Sequence, residues 1–156
     1  MIKELWILVK MLFASKPNDF ESMEVIDMKH FPFEGYKAMA WCGKIIHRIG
    51  SSEVDERTIR HENIHLAQAK LYGSWWKYYL AYLWEWIKGG IIIAPVSAAY
   101  YTSKYESEAY ANEENPDYCI GYDGSNLSKY SFKNRKKLYK KVGRTASDWK
   151  IFVKSL

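Results

Sequence analysis

The chain reads as an α+β protein, mostly helical, with a small β-sheet or hairpin placed ahead of one well-marked helix. Three observations lead there. Residues 36–49 alternate, Met39, Trp41, Gly43, Ile45 and His47 against Ala40, Cys42, Lys44, Ile46 and Arg48, which is the period of a strand or hairpin. The segment after Gly50-Ser51-Ser52 changes to a helical period. Two further capped helical segments follow it.

The elements can be justified in chain order. Residues 1–14 predict an amphipathic helix with Leu5, Leu8, Val9 and Leu12 on one face, stopped by Pro17-Asn18-Asp19. The β structure then lies within MEVIDMKHFPFEGYKAMAWCGKIIHRIG. Ser52 or Asp55 can cap the next helix, whose first turn carries Glu53, Asp55 and Glu56 against its positive end. That helix should run to about Tyr72 and stop at Gly73, with Ile64, Ala67 and Leu71 as its apolar stripe. Ser74 can cap a second helix, WWKYYLAYLWEWIK, ending at Lys88 before Gly89-Gly90. A third runs from about Ser97 or Ser103 to Glu114, closed by Asn115-Pro116. DYCIGYDGSNLS reads as loop, with Asp123-Gly124 a turn, and a basic helix interrupted near Gly143 follows. Residues 1–128 are expected to form one domain, and residues 129–156 a basic helical segment packed on it or extending from it.

Composition narrows the function classes. The chain has 156 residues, 48% hydrophobic and 26% charged, enough for a core that needs no metal or disulfide to hold it. The aromatic share, 17%, suits a ring-rich core, a groove or an interface. Cys42 and Cys119 belong to no metal-binding cluster and read as two free thiols. Glu4 and Lys10 within the apolar start argue against a cleavable signal, so a cytoplasmic protein is expected. Residues 79–101 are interrupted by Glu85, Lys88, Gly89-Gly90 and Pro95; they predict a buried helix, a turn and a buried segment rather than a membrane span.

Charge is uneven. Residues 1–128 hold 13 Lys+Arg and 17 Asp+Glu, a net of −4, while residues 129–156 hold 10 Lys+Arg and one acid, a net of +9. The two sum to the chain's +5. Such an end can serve as a solvated helical face, or hold the protein peripherally on an anionic membrane or another anionic partner, nucleic acid being the less favoured of these.

Chemistry concentrates in HENIH, residues 61–65. On a helix, residues four apart share a face, so His61 and His65 can reach one ion. Zinc takes histidine nitrogen at about 2.0–2.1 Å and prefers tetrahedral geometry. Glu62 does not bind the metal in this arrangement; it can take a proton from zinc-bound water, whose pKa the ion lowers toward 7. The other reading is an ordinary helix that happens to carry two histidines. A zinc site needs a third protein ligand, and TSKYESEAYANEEN offers Glu106 and Glu108. Residues i and i+2 point apart on a helix, and Glu106 shares its face with Ala109 and Tyr110 while Glu108 turns away. Alone, Glu106 would read as a solvated carboxylate. His30 and His47 read as structural or surface histidines.

HENIH followed about forty residues later by YESEAY resembles the gluzincin pattern of zinc peptidases. These draw zinc ligands from HExxH and from a glutamate on a later helix. Membrane-linked prenyl-protease-like and antibiotic-sensor-like gluzincins carry that glutamate as ExxAD, and Glu106-Ser107-Glu108-Ala109 matches ExxA, which selects Glu106. The family's aspartate, which orients a ligand histidine, is Tyr110 here. HExIHxxQ with a later ExEAY is more closely similar to a family of small bacterial proteins without an assigned substrate. The likeness covers residues 61–110 well and FPFEGYKAMAWCGKII more loosely.

The resemblance implies a zincin-like fold. It implies Zn2+ held by His61, His65 and Glu106, Glu62 as catalytic base, and a peptide or protein substrate paired with an edge strand drawn from residues 36–49. His47, Tyr110 or another tyrosine would stabilise the oxyanion. A zinc metallopeptidase is therefore expected, against the alternative of a catalytically inactive zincin-like binding module peripheral to a membrane.

Overall fold

Leu8 of the first helix, Met28, Phe31 and Ile46 form a buried cluster, with Met11, Ile26, Met39 and Trp41 packed against it. The structure that brings them together is a computed structural model, which describes residues 1–89, 100–131 and 146–155. It is α+β, with one three-stranded sheet among helices. The chain divides into two compact units, Met1–Lys77 and Tyr78–Leu156.

In the first unit, α1 spans Ile2–Ala14. Leu5, expected on its buried face, is 50% exposed. The inner edge is taken by Glu4, whose carboxylate accepts the backbone N–H groups of Lys29 (2.8 Å) and His30 (3.2 Å) and meets the His30 ring at 2.8 Å. Satisfying those donors turns the helix so that Leu8, and partly Met11 and Leu12, face inward.

The sheet order is β1-β3-β2. β1 (Glu24–Met28) lies parallel to β3 (Lys44–Arg48), and β2 (Ala38–Trp41) antiparallel to it. The alternating stretch is therefore a hairpin. It turns at Cys42-Gly43, whose φ angles are both positive (47° and 81°), as a two-residue turn of right-twisted strands requires. Gly43 is further confined by Phe20, since a Cβ there would lie 2.5 Å from the ring. Ile45 and Ile46 point to opposite faces of β3 and both are fully buried. The central strand is thus covered on two sides, which is why neither of its faces is cleanly polar.

α2 spans Glu56–Lys70. Of the two cap residues expected, Asp55 serves: its carboxylate accepts the Thr58 N–H at 2.7 Å. The Thr58 hydrogen bonds hold the Asp55 carboxyl down at about 2, with Lys37 adding a smaller pull. A depressed carboxylate stabilises the fold above its unfolded value and loses that contribution as pH falls toward 2. Asp55→Ala is expected to cost about 1 kcal/mol at neutral pH. In urea melts the gap from wild type should close between about pH 4 and pH 2. A gap constant across that range would exclude the ionised cap.

Ile64 and Ala67 are buried as expected, but Leu71 is the C-cap and is 44% exposed. The helix ends at Lys70, two residues before the predicted end, because Leu71 and Tyr72 join the turn at Gly73 (φ 60°). The buried stretch is wider than one stripe: it takes in His61, Glu62 and every residue from Ile64 to Ala69.

The unit boundary falls within α3, Trp75–Lys88. This helix is not the buried one expected, since Leu80 and Trp84 are 62% and 60% exposed. Residues 90–99, which contain the buried segment predicted there, lie outside the described residues.

In the second unit, α4 (Lys104–Asn112) begins at Ser103, whose hydroxyl accepts the Tyr105 N–H. It ends two residues before the predicted Glu114. The Asp123-Gly124 turn forms, with Gly124 at φ 76° and the Asp123 carboxylate accepting the Ser125 N–H at 2.9 Å, and leads into a 3-10 turn at Ser125–Tyr130. α5 spans Ala146–Lys154. Lys154 pairs with the buried Glu113 at 2.7 Å, and Val153 is buried. The basic helix predicted through residues 132–145 lies outside the described residues.

Candidate metal centre

One turn of α2 separates His61 from His65, and the helix places their Nε2 atoms 3.2 Å apart, with the rings edge to face. Two nitrogens bound to one tetrahedral zinc at about 2.0–2.1 Å lie about 3.3 Å from each other. The rings are therefore already set at the spacing of two ligands of one ion. His65 Nδ1 is 2.8 Å from Gln68 Oε1. An amide oxygen only accepts, so Nδ1 carries the proton and Nε2 offers its lone pair to the point shared with His61. Gln68 is fully buried and cannot exchange this partner for solvent.

Glu106 stands in the first turn of α4, 2% exposed, with Oε1 accepting the Tyr82 hydroxyl at 2.6 Å. His61, His65 and Glu106 form a buried group that could hold a metal ion: one potential ligand atom of each lies within 4.8 Å of the other two. Two imidazoles and a carboxylate form a donor set that zinc takes in catalytic sites, leaving its fourth position open. Glu62 adjoins His61 in α2 and is 9% exposed.

Glu108, the other carboxylate of the ExEA stretch, is engaged elsewhere. It is fully buried and accepts the hydroxyls of Tyr118 (2.9 Å) and Tyr122 (2.7 Å). Both tyrosine hydroxyls are pushed up, first by burial and then by the Glu108 charge and hydrogen bond, so they remain donors. The loop read from sequence as DYCIGYDGSNLS is thereby tied to α4.

Tyr110, where the gluzincin pattern has aspartate, lies one turn beyond Glu106 on the same face of α4. Its hydroxyl is pushed up by burial and by the Glu106 charge, so it stays protonated at neutral pH. His47 is occupied within the first unit: Nδ1 meets Asp27 at 2.7 Å, and Nε2 meets the Ser51 hydroxyl at 3.1 Å and the Ser52 carbonyl at 3.2 Å. With both ring nitrogens so used, His47 is a structural residue of the hairpin and not an oxyanion donor. His30 is tied to Glu4.

Sequence reasoning passed over two residues of the site. Gln68 was legible, three positions beyond His65 on the same helix. Tyr82 belongs to another helix, and no spacing rule connects it to Glu106. No family model, curated protein or solved structure matches the chain, so the reading of the site rests on its own residues and their geometry.

Proposed function

We propose that the protein is a zinc-dependent peptidase of zincin-like fold, with His61, His65 and Glu106 as metal ligands and Glu62 as general base. The observation that carries this reading is the 3.2 Å approach of the two Nε2 atoms, with the Glu106 carboxylate in the same buried group. A zinc ion held there would polarise a peptide carbonyl and bring the pKa of its water down toward 7. Glu62 takes the proton of the attacking water and passes it to the departing amine. Gln68 keeps His65 in the tautomer that can ligate, and Tyr82 fixes the Glu106 carboxylate.

The peptide is held along β2. Arg48 N–H donates to the Lys37 carbonyl, so in the antiparallel ladder Lys37, Met39 and Trp41 face β3. Ala38 and Ala40 then turn their N–H and C=O groups to the outer edge of the sheet, which no strand among the described residues covers and where an extended substrate can pair. Tyr110 in place of the usual acid favours a second reading, an inactive binding module that keeps the metal.

Elemental analysis tests the ligand set. About one zinc per chain is expected in the wild type and none in His65→Ala. A wild-type chain that takes up no zinc on reconstitution would remove both readings. Gln68→Ala should retain the site with zinc affinity lower by about 10–100-fold in chelator competition. Unchanged affinity would reduce Gln68 to packing.

A further inference from the structure

Two helices of this chain carry apolar stripes on their outer sides. Along α3, Trp76, Leu80, Leu83, Trp84 and Ile87 repeat at helical spacing and are all exposed, Leu80 and Trp84 by about three-fifths (62% and 60%). The opposite face holds the buried Tyr78 and Glu85, together with Tyr82, whose hydroxyl reaches Glu106. The inner face also holds the buried Trp75, so the helix is apolar on its outer side as well as its inner one, unlike a helix on a water-facing surface. Along α1, Ile2, Leu5, Trp6 and Phe13 form a second exposed stripe, and Phe13 meets Trp76 with ring centroids 5.8 Å apart.

Charge on this surface has one sign. Lys3, Lys10 and Lys77 are exposed beside the stripes. The acids of both helices turn away: Glu4 is held by His30 and the Lys29 N–H, and Glu85 is buried against Lys88 at 2.5 Å. Tryptophan and leucine flanked by lysine suit the boundary between headgroups and acyl chains, where rings bury their bodies and ammonium groups meet lipid phosphate. At 14 residues α3 is about 21 Å long, short of the about 30 Å of a bilayer core. No helix among the described residues is long and apolar enough to cross a membrane.

We infer that the outer face of α3 docks on an anionic lipid bilayer with the helix lying in the interfacial plane, and that the outer face of α1 binds the same kind of surface.

The test uses the full chain with vesicles of phosphatidylcholine alone and of phosphatidylcholine with phosphatidylglycerol. Wild type is expected to sediment with the mixed vesicles, and its tryptophan emission to move to shorter wavelength. The double variant Leu80→Glu, Trp84→Glu should bind about tenfold more weakly or worse, with its circular dichroism unchanged because both side chains are exposed. Trp6→Glu, in the other stripe, should weaken binding independently. Wild type that ignores both vesicle types would overturn the inference, as would binding that survives all three substitutions. Binding abolished by high salt with no shift in emission would assign the membrane contact to residues 129–156. A dimer that the double variant dissociates, with no vesicle binding by wild type, would assign the surface to a second copy of the chain.

Discussion

Glu62→Gln is expected to keep a full complement of zinc and to slow peptide hydrolysis by about 10³-fold, within the range for loss of a general acid–base group. Glutamine matches glutamate in size, so the buried neighbourhood beside His61 is preserved, yet its amide takes no proton at neutral pH. Zinc content by elemental analysis and turnover of a quenched-fluorescence peptide pool, measured on one preparation, separate the two properties. Equal turnover by variant and wild type would exclude Glu62 as the base. Zinc with no turnover in the wild type itself would favour the binding-module reading.

Glu106→Ala and Glu108→Ala should fail in opposite ways, although the two carboxylates stand two residues apart on α4 and are both buried. Glu106→Ala should lose zinc while the metal-free protein loses only about 1 kcal/mol, the cost of leaving the Tyr82 hydroxyl without its acceptor. Glu108→Ala strips the acceptor from two tyrosine hydroxyls at once and should cost about 3 kcal/mol, with zinc stoichiometry in the folded fraction unchanged. Urea denaturation of the metal-free variants, paired with metal analysis, reads both quantities. A Glu108→Ala protein of normal stability that binds no zinc would exchange the roles assigned to these residues.

Much of the first unit's local structure follows from short-range chemistry. Asp55 is readable as a cap because a carboxylate three residues ahead of an N–H has one obvious partner. A strand or hairpin is readable from alternation, but the turn at Cys42-Gly43 that makes it a hairpin is not. What misled the reading of α1 was a long-range polar demand: Glu4 serves backbone donors 25 and 26 residues away, which rotates Leu5 outward. The parallel pairing of β1 with β3 is equally non-local, since nothing in EVIDM names its partner.

α3 shows the limit of hydropathy most directly. Its sequence is apolar enough to read as buried, because periodicity reports that a helix has two faces but not which one the fold covers. Here the covered face is the one that carries Trp75, Tyr78 and Tyr82, with Tyr82 donating to Glu106, and Trp76, Trp84 and Trp86 are left outside.

For the candidate site, spacing alone puts His61 and His65 on one helix face, because 3.6 residues per turn leave no other arrangement once the helix forms. It also separated Glu106 from Glu108 by the same geometry. The fold, and no spacing rule, sets the Tyr82 hydroxyl on the Glu106 carboxylate and those of Tyr118 and Tyr122 on Glu108. Helical spacing is a local constraint carried by backbone hydrogen bonds. Which side chains meet across elements depends on how the whole chain buries its apolar surface while pairing its polar groups, and no short window of sequence contains that.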